Sequence, residues 1–208
     1  MKKIIMLLIM MIICDCVVIA KGLLNKKYFG LELGYTRPGD SIQRQYDNSI
    51  INYGVGINYP ILKNLDGLLN ITSSLSEGYI SRQKIKSSTN AAIGSLIYSF
   101  APNAEINPFT TVSIGIASVS NENKDTQYKL SDNKLYYSLQ FGSEFNINPS
   151  VSFRPKMAYN KLQDNSSKIT SHFDMIVFFN KKLFKILGLG YNMDNKDLFI
   201  NISMGIII

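Results

Sequence analysis

The chain contains a single histidine, His172, two positions before Asp174, and this residue is the natural candidate for a general base. A hydrolase built on it would also need a nucleophile and a group that stabilises an oxyanion. Ser171 is adjacent, but neighbouring side chains of an extended chain point to opposite faces, so Ser171 and His172 cannot act together. No metal-ligand spacing, phosphate-binding loop or paired-carboxylate motif accompanies them. The sequence therefore predicts no metal site and no cofactor, and leaves hydrolysis as the weakest functional hypothesis.

A second group of reactive side chains consists of charged residues inside otherwise amphipathic segments. They are Glu32, Glu144, Arg154, Lys156 and Asp174, and they alternate in phase with glycines and small polar residues. His172 has the same phase. If their segments are neighbouring strands of a barrel, the last four approach one another, and Glu32 reaches them across the lumen. We predict a charge cluster in the lumen, as a charge-paired plug or as the lining of a narrow pore, because charges inside a barrel need partners.

The elements that would position these residues are short alternating segments, and no long segment after Lys21 keeps a helical period. In "KDLFINISMGIII", for example, Leu198, Ile200 and Ile202 share an apolar face with the later residues of the same phase. Most segments have about ten residues or more, which matches the roughly 9–11 that cross a bilayer as a tilted strand. Ten strands are predicted, at 27–36, 49–59, 65–76, 89–100, 107–119, 133–146, 150–160, 168–179, 183–192 and 197–207.

Glycines decide which face of these strands points inward. They fall on the polar face, at 30, 34, 54, 56, 115, 142, 188, 190 and 205, with Gly94 as the exception. Glycine weakens a solvent-facing strand without benefit, whereas the crowded axis of a narrow barrel needs small residues. A water-soluble antiparallel sandwich is therefore the less favoured alternative. We predict an all-β fold, a transmembrane antiparallel up-and-down β-barrel of ten strands, with Leu33, Ile57, Leu139 and Ile202 facing lipid.

The predicted links between strands alternate in length. Those after odd strands are long, at 37–48, 77–88, 120–132 and 161–167, with a shorter one at 193–196. Those after even strands are short, at 60–64, 101–106, 147–149 and 180–182. Outer-membrane barrels combine long outer loops with short periplasmic turns, so this alternation supports the predicted fold.

The N-terminus has the pattern of a secretory signal. Lys2 and Lys3 precede a largely apolar run to Ala20, so cleavage is expected before Lys21. Two alternatives stay open: an uncleaved membrane anchor, and a lipoprotein acylated at Cys14 or Cys16, the only cysteines. We predict a cleaved signal peptide at 1–20 and an outer-membrane barrel domain at 21–208.

With the start "YFGLELGYTRPG", ten amphipathic strands and a terminal apolar strand, the chain resembles the small outer-membrane β-barrels of Gram-negative bacteria. The likeness is to the OmpA-like and opacity-type porin family and covers nearly all of 27–208. It implies a surface-exposed barrel in the bacterial outer membrane, assembled by the outer-membrane insertion machinery and surrounded by outer-membrane lipid and lipopolysaccharide. Many members of that family have eight strands, which is the alternative count.

The net charge of +7 comes from scattered basic and acidic residues without a dense basic stripe, so no nucleic-acid partner is predicted. Three functional hypotheses remain. The first is a non-enzymatic surface protein whose loops 37–48, 77–88 and 120–132 contact host or surface ligands. The second is a small-solute channel with a charged lumen, and the third is an outer-membrane hydrolase.

Overall fold

A computed structural model describes residues 22–39, 50–80, 83–102, 104–163 and 167–208. The predicted signal peptide at 1–20, with Cys14 and Cys16, and most of the predicted loop 37–48 lie outside these residues. Among the described residues, no helix has the length and apolarity needed to cross a membrane. The strands are β1 (Tyr28–Arg37), β2 (Ile50–Leu62), β3 (Leu65–Ile80), β4 (Gln83–Ser99), β5 (Ile106–Asn123), β6 (Lys129–Asn148), β7 (Val151–Leu162), β8 (Lys168–Phe178), β9 (Leu183–Asn192) and β10 (Leu198–Ile207).

These strands form one closed barrel in which every strand pairs with its sequence neighbours. The pairing of β1 with β10 closes the ring and runs from Tyr28 opposite Ile207 to Arg37 opposite Leu198. All pairings are antiparallel. Closure leaves no strand edge exposed, which a hydrocarbon environment requires because an unpaired backbone group costs several kcal/mol there. The prediction of a ten-stranded up-and-down barrel is confirmed, and the alternative count of eight is wrong.

The apolar face of the strands points outward. Leu33, Ile57, Leu139 and Ile202 are between 41% and 66% exposed on the outer wall. A water-soluble sandwich would bury these residues between its sheets. The barrel is therefore apolar on the outside, and its chain has the fold of a transmembrane β-barrel.

The interior differs from the prediction at one end. The pattern predicts glycine, small polar and charged residues throughout, but large apolar side chains fill the lumen at the end that carries the short turns, the start of β1 and the end of β10, called here the short-turn end. One cluster joins Ile176, Phe178 and Phe184, and a second joins Ile97 and Phe109. The predicted alternation of inward and outward residues is correct, because these residues have the inward phase. A closed end of the barrel can be packed as a core without water, whereas an open pore cannot.

At the opposite end the strands differ greatly in length. β1, β9 and β10 have 10 residues each, whereas β6 has 20. Residues 76–80 of β3 continue beyond the pairing with β2, and 129–135 of β6 continue beyond the pairing with β7. Together with 83–91 and 117–123, these residues form a four-stranded sheet extension. The predicted loops 77–88 and 120–132 are therefore mostly strand, because their polar residues continue the ladder beyond the apolar band.

Candidate functional site

The lumen holds an ion pair between β6 and β7, towards the short-turn end. Both the Nε and Nη2 groups of Arg154 donate to Oε2 of Glu144, with an Nε–Oε2 distance of 3.1 Å. The Glu144 side chain is only 1% exposed and the Arg154 side chain 11% exposed. The guanidinium also lies 5.7 Å from the centre of the Phe109 ring. A buried pair with two donated hydrogen bonds is strongly directional, so it fixes both side chains in place.

A second ion pair lies beside the first, between β7 and β8. Lys156 Nζ is 2.5 Å from Oδ2 of Asp174, whose side chain is 4% exposed. The register places Arg154 directly opposite Asp174 and Lys156 directly opposite His172. Two inward cations two positions apart on β7 therefore meet one acidic residue on each neighbouring strand. Each cation is thus neutralised within the wall, as buried charges must be.

Glu32 does not join these ion pairs. It lies on the inner face of β1, where it accepts a hydrogen bond of 3.2 Å from Nδ2 of Asn201 on β10. It lines, together with Arg154, Lys156 and Asp174, an internal cavity of about 170 Å³. This volume is below the roughly 300–1,000 Å³ of ordinary small-molecule pockets. Four of the five charged residues predicted from the sequence therefore surround one small space, with Glu32 on its opposite side, and Glu144 lies outside its lining.

His172 is held by a structural contact network. Its ring is stacked on Phe199 with centroids 5.7 Å apart, and its Nε2 lies 3.2 Å from Oγ1 of Thr170. The hydroxyl of Thr170 already accepts a 3.0 Å hydrogen bond from Asn160. Ser171 points the other way, towards the backbone oxygen of Tyr191 at 3.5 Å. His172 is therefore surrounded by packing contacts.

Residues 22–27, which precede β1 and were not predicted to have a structural role, enter the lumen from the short-turn end. Leu23 is 1% exposed and packs against the cluster of Ile176, Phe178 and Phe184. Leu24 joins the cluster of Ile97 and Phe109. We call residues 22–27 the plug segment, because its two leucines fill the lumen where the barrel wall alone would leave apolar side chains facing each other across the axis.

Polar contacts tie the plug segment to the wall. The backbone N–H of Leu23 donates to Oε1 of Glu144 at 2.8 Å, so the buried carboxylate holds Arg154 with one oxygen and the plug segment with the other. The backbone N–H of Asn25 donates to Oδ2 of Asp66 at 2.7 Å. Hydrogen bonds from N–H groups to carboxylates are among the stronger ones in proteins. The lumen charge cluster and the plug segment therefore form one connected site.

Lys26 and Gly22 also take part in this attachment. Nδ2 of Asn58 donates to the backbone oxygen of Lys26 at 2.8 Å. The Lys26 ammonium lies 4.7 Å from the centre of the Phe178 ring. Burial lowers the pKa of Lys26 below its usual range, and the charge of Glu144 opposes this shift in part. At Gly22, where φ is +57°, an added Cβ would lie 1.7 Å from Oε1 of Glu144, so only glycine allows the chain to pass this carboxylate.

A signal for the plug segment was present in the sequence. Leu23 and Leu24 lie between the predicted cleavage site and the basic pair Lys26 and Lys27. An exposed terminal segment normally carries few large apolar residues next to each other. The apolar pair indicates burial, but its partners are far away in the sequence and cannot be read from the segment itself.

The sheet extension is held together by its own contacts. Lys84 and Glu77 form an ion pair of 2.8 Å on its outer surface. The turn between β5 and β6 is tied to the start of β4, because the backbone N–H of Lys124 donates to the Lys84 oxygen and the Lys84 N–H donates to Asp125. Large apolar and aromatic residues remain exposed on it at Tyr79 and Leu130, and at Tyr128 in the turn between β5 and β6. It is an ordered surface of hydrogen-bonded strands.

The fold and its outward apolar belt define the class as transmembrane β-barrels of the kind found in bacterial outer membranes. The chain is similar in structure to the translocator domain of the autotransporter NalP from Neisseria meningitidis, with 7% identity, a TM-score of 0.52 and coverage of 100% of this chain and 94% of that one. It is also similar to the transport unit of the autotransporter AIDA-I from Escherichia coli, with 11% identity, a TM-score of 0.50 and coverage of 89% and 94%. These likenesses show the fold alone. No family model and no curated protein matches the chain, so the narrower likeness to the OmpA-like family stays a prediction.

Proposed function

We propose that this chain is a non-enzymatic protein of the bacterial outer membrane whose sheet extension contacts ligands outside the cell. The observation that carries the proposal is the unequal strand length. A strand of 10 residues suffices to cross the bilayer at a tilt, and β6 has 20. Residues 129–135 of β6 continue beyond its pairing with β7, and these seven residues correspond to roughly 23 Å along the strand. Such a projection serves no purpose within the membrane, and it presents a surface to partners.

The position of the sheet extension supports an outward orientation. In outer-membrane barrels both termini and the short turns face the periplasm. The plug segment and the short turns share one end here, so the sheet extension at the other end would face the cell exterior. Lipopolysaccharide would surround its base, and insertion would depend on the outer-membrane assembly machinery.

The exposed side chains of the sheet extension favour a binding role. Tyr79 and Tyr128 are more than half exposed, as is Leu130. Tyrosine is enriched at the centres of protein interfaces because its large rigid ring brings apolar area and a hydroxyl at low entropic cost. The predicted loops 77–88 and 120–132 therefore stay candidates for contact with host or surface ligands, now as paired strands.

A non-enzymatic role is supported by the surroundings of His172. It stacks on Phe199, and its nearest hydroxyl, that of Thr170, is 6% exposed and engaged by Asn160. A catalytic base must reach a substrate as well as a nucleophile. Replacing His172 by Gln should leave any hydrolysis by the purified barrel at the background level seen with the unmodified protein.

The experiment that tests the binding role shortens the sheet extension without changing the barrel. Glu77 is paired with Lys86, so residues 77–86 are replaced by Asn-Gly, which forms the tight turn that joins paired strands. Residues 118–133 are replaced in the same way between Ala117 and Lys134, which are also paired. Bacteria that display the shortened barrel should lose adhesion to cultured host cells. Equal adhesion by shortened and full-length barrels, at matched surface levels, would disprove the binding role.

A channel for small solutes is the second candidate, and the cavity lined by Glu32, Arg154, Lys156 and Asp174 is the observation that favours it. A conducting pathway would require the plug segment to leave the lumen. Currents in planar bilayers test this function. Steps that change their ion selectivity when Arg154 is replaced by Met would establish the channel, and silence of both proteins would argue against it.

A further inference from the structure

The outer wall of the barrel carries an apolar groove of about 500 Å³ across β2 to β5. The groove lies towards the short-turn end, since Tyr59 on its border is three residues from the end of β2. Its sides are formed by the apolar residues Ile57, Tyr59, Leu69, Leu96, Val112 and Ile114.

Two outward-facing glycines create the groove. The register places Gly67 between Tyr59 and Leu96, and Gly94 between Leu69 and Ile114. At the other outward-facing positions of the described strands, a side chain covers the backbone. Gly94 is the exception already seen in the sequence, where the other glycines of the pattern have the inward phase.

The backbone does not need glycine at position 94. An added Cβ would meet only the backbone oxygen of Ile114 at 3.9 Å, which is an ordinary contact. Glycine inside a strand weakens the strand, because it offers no side chain for packing and its backbone is less restricted before folding. The open space above Gly94 is therefore the feature that this residue maintains.

A positive charge stands at the short-turn end of the groove. Lys27 precedes β1, and its Nζ lies 5.4 Å from the centre of the Tyr59 ring that borders the groove. The contact between cation and aromatic face holds the ammonium beside the groove. Lysines at the ends of membrane-spanning segments reach the depth of the lipid headgroups, where phosphates lie. The groove thus combines an apolar channel with a cation at its headgroup end.

We propose that this groove binds one glycerophospholipid of the leaflet at the short-turn end, with an acyl chain over Gly94 and the phosphate beside Lys27. Both parts of the lipid find complementary chemistry: an apolar trough continuous with the lipid-facing belt, and an ammonium at the depth of the phosphate. The site would retain this lipid longer than the surrounding wall retains any other lipid.

The test is native mass spectrometry of the full chain after expression, membrane extraction and purification in mild detergent. Gly94→Leu fills the groove, and Ala92→Leu adds similar bulk at the next outward position of β4, outside the groove lining. The unmodified barrel and Ala92→Leu should each retain one phospholipid. Gly94→Leu should reduce the retained fraction roughly tenfold, because several methylene groups lose their contact with the wall.

The charge is tested in parallel. Lys27→Gln should reduce retention by about fivefold, the factor that one lysine beside an anionic headgroup contributes. Lys181→Gln, in the turn between β8 and β9 on the opposite wall, is the matched control and should change nothing. Heat-modifiable gel migration shows that each barrel is folded, and Gly94→Ala provides a milder variant should Gly94→Leu fail to fold.

Three results would overturn the proposal. They are a folded unmodified barrel that retains no phospholipid, equal retention by the unmodified barrel and every Gly94 and Lys27 variant, and a dimer that dissociates on groove filling. The last result would assign the groove to a second copy of the chain.

Discussion

The attachment of the plug segment provides the most direct test of this structure, through Leu23→Ala. Leu23 is 1% exposed and packs against Ile176, Phe178 and Phe184. Truncating a buried leucine costs about 2–5 kcal/mol in protein cores. Hydrogen bonds still hold the truncated segment near the wall. We therefore take the lower part of this range, about 2–3 kcal/mol, as the loss in the free energy of docking. Since 1.4 kcal/mol is a factor of ten, the undocked population should rise by roughly 30- to 150-fold.

The assay is the labelling rate of a single cysteine placed beneath the plug segment. Ile176→Cys in residues 21–208, which contain no other cysteine, gives a thiol that only an undocked segment exposes. The refolded barrel is treated with a charged maleimide in micelles, and Leu23→Ala should accelerate labelling by the factor above.

Leu33→Ala removes the same side chain from the outer wall, where Leu33 is 66% exposed, and is the matched control. It should leave the labelling rate of Cys at position 176 unchanged. Equal rates with and without Leu23→Ala, in barrels that migrate as folded, would show that the segment does not close the lumen.

Three further predictions concern the strands, and each is checked by urea unfolding of barrels inserted in phospholipid vesicles. Ile202→Arg places a charge on the lipid face and should destabilise the barrel by about 2–4 kcal/mol in a bilayer, so a change near zero would contradict the outward orientation. Glu144→Leu leaves Arg154 buried without its partner and should cost about 3–5 kcal/mol, part of which the double replacement with Arg154→Leu should recover, since the Leu23 N–H still lacks its acceptor. If the double variant is no more stable than the single one, the pair is not the origin of the loss. Glu77→Gln should cause no measurable change, because its pairing with Lys84 is exposed to solvent.

Much of the wall could be predicted from the sequence, because alternation is a local property of a strand. The phase of Leu33, Ile57 and Ile202 fixed their side of the sheet, and the glycines on the opposite phase indicated which side was narrow. The meeting of Arg154 with Glu144 followed from the order of neighbouring strands. Strand ends are harder to predict, because the polar composition of 77–88 and 120–132 indicates loops although most of these residues continue the ladder.

The interior at the short-turn end could not be predicted in the same way. Phe178 and Phe184 have the inward phase, but the phase alone does not say whether they line a pore or pack in a core. Leu23 decides this, and its backbone N–H bonds to Glu144 from 121 positions away.

The sequence by itself thus determined that the chain is a barrel turned apolar side out, with charges towards its axis. Only the tertiary structure decided that one end is filled by the plug segment, that the other end projects on one side, and that Gly67 and Gly94 together open a groove in the wall. The physical reason is the range of the interactions. Alternation depends on residues two positions apart, whereas closure and grooves depend on contacts between residues that the folded ring alone brings together.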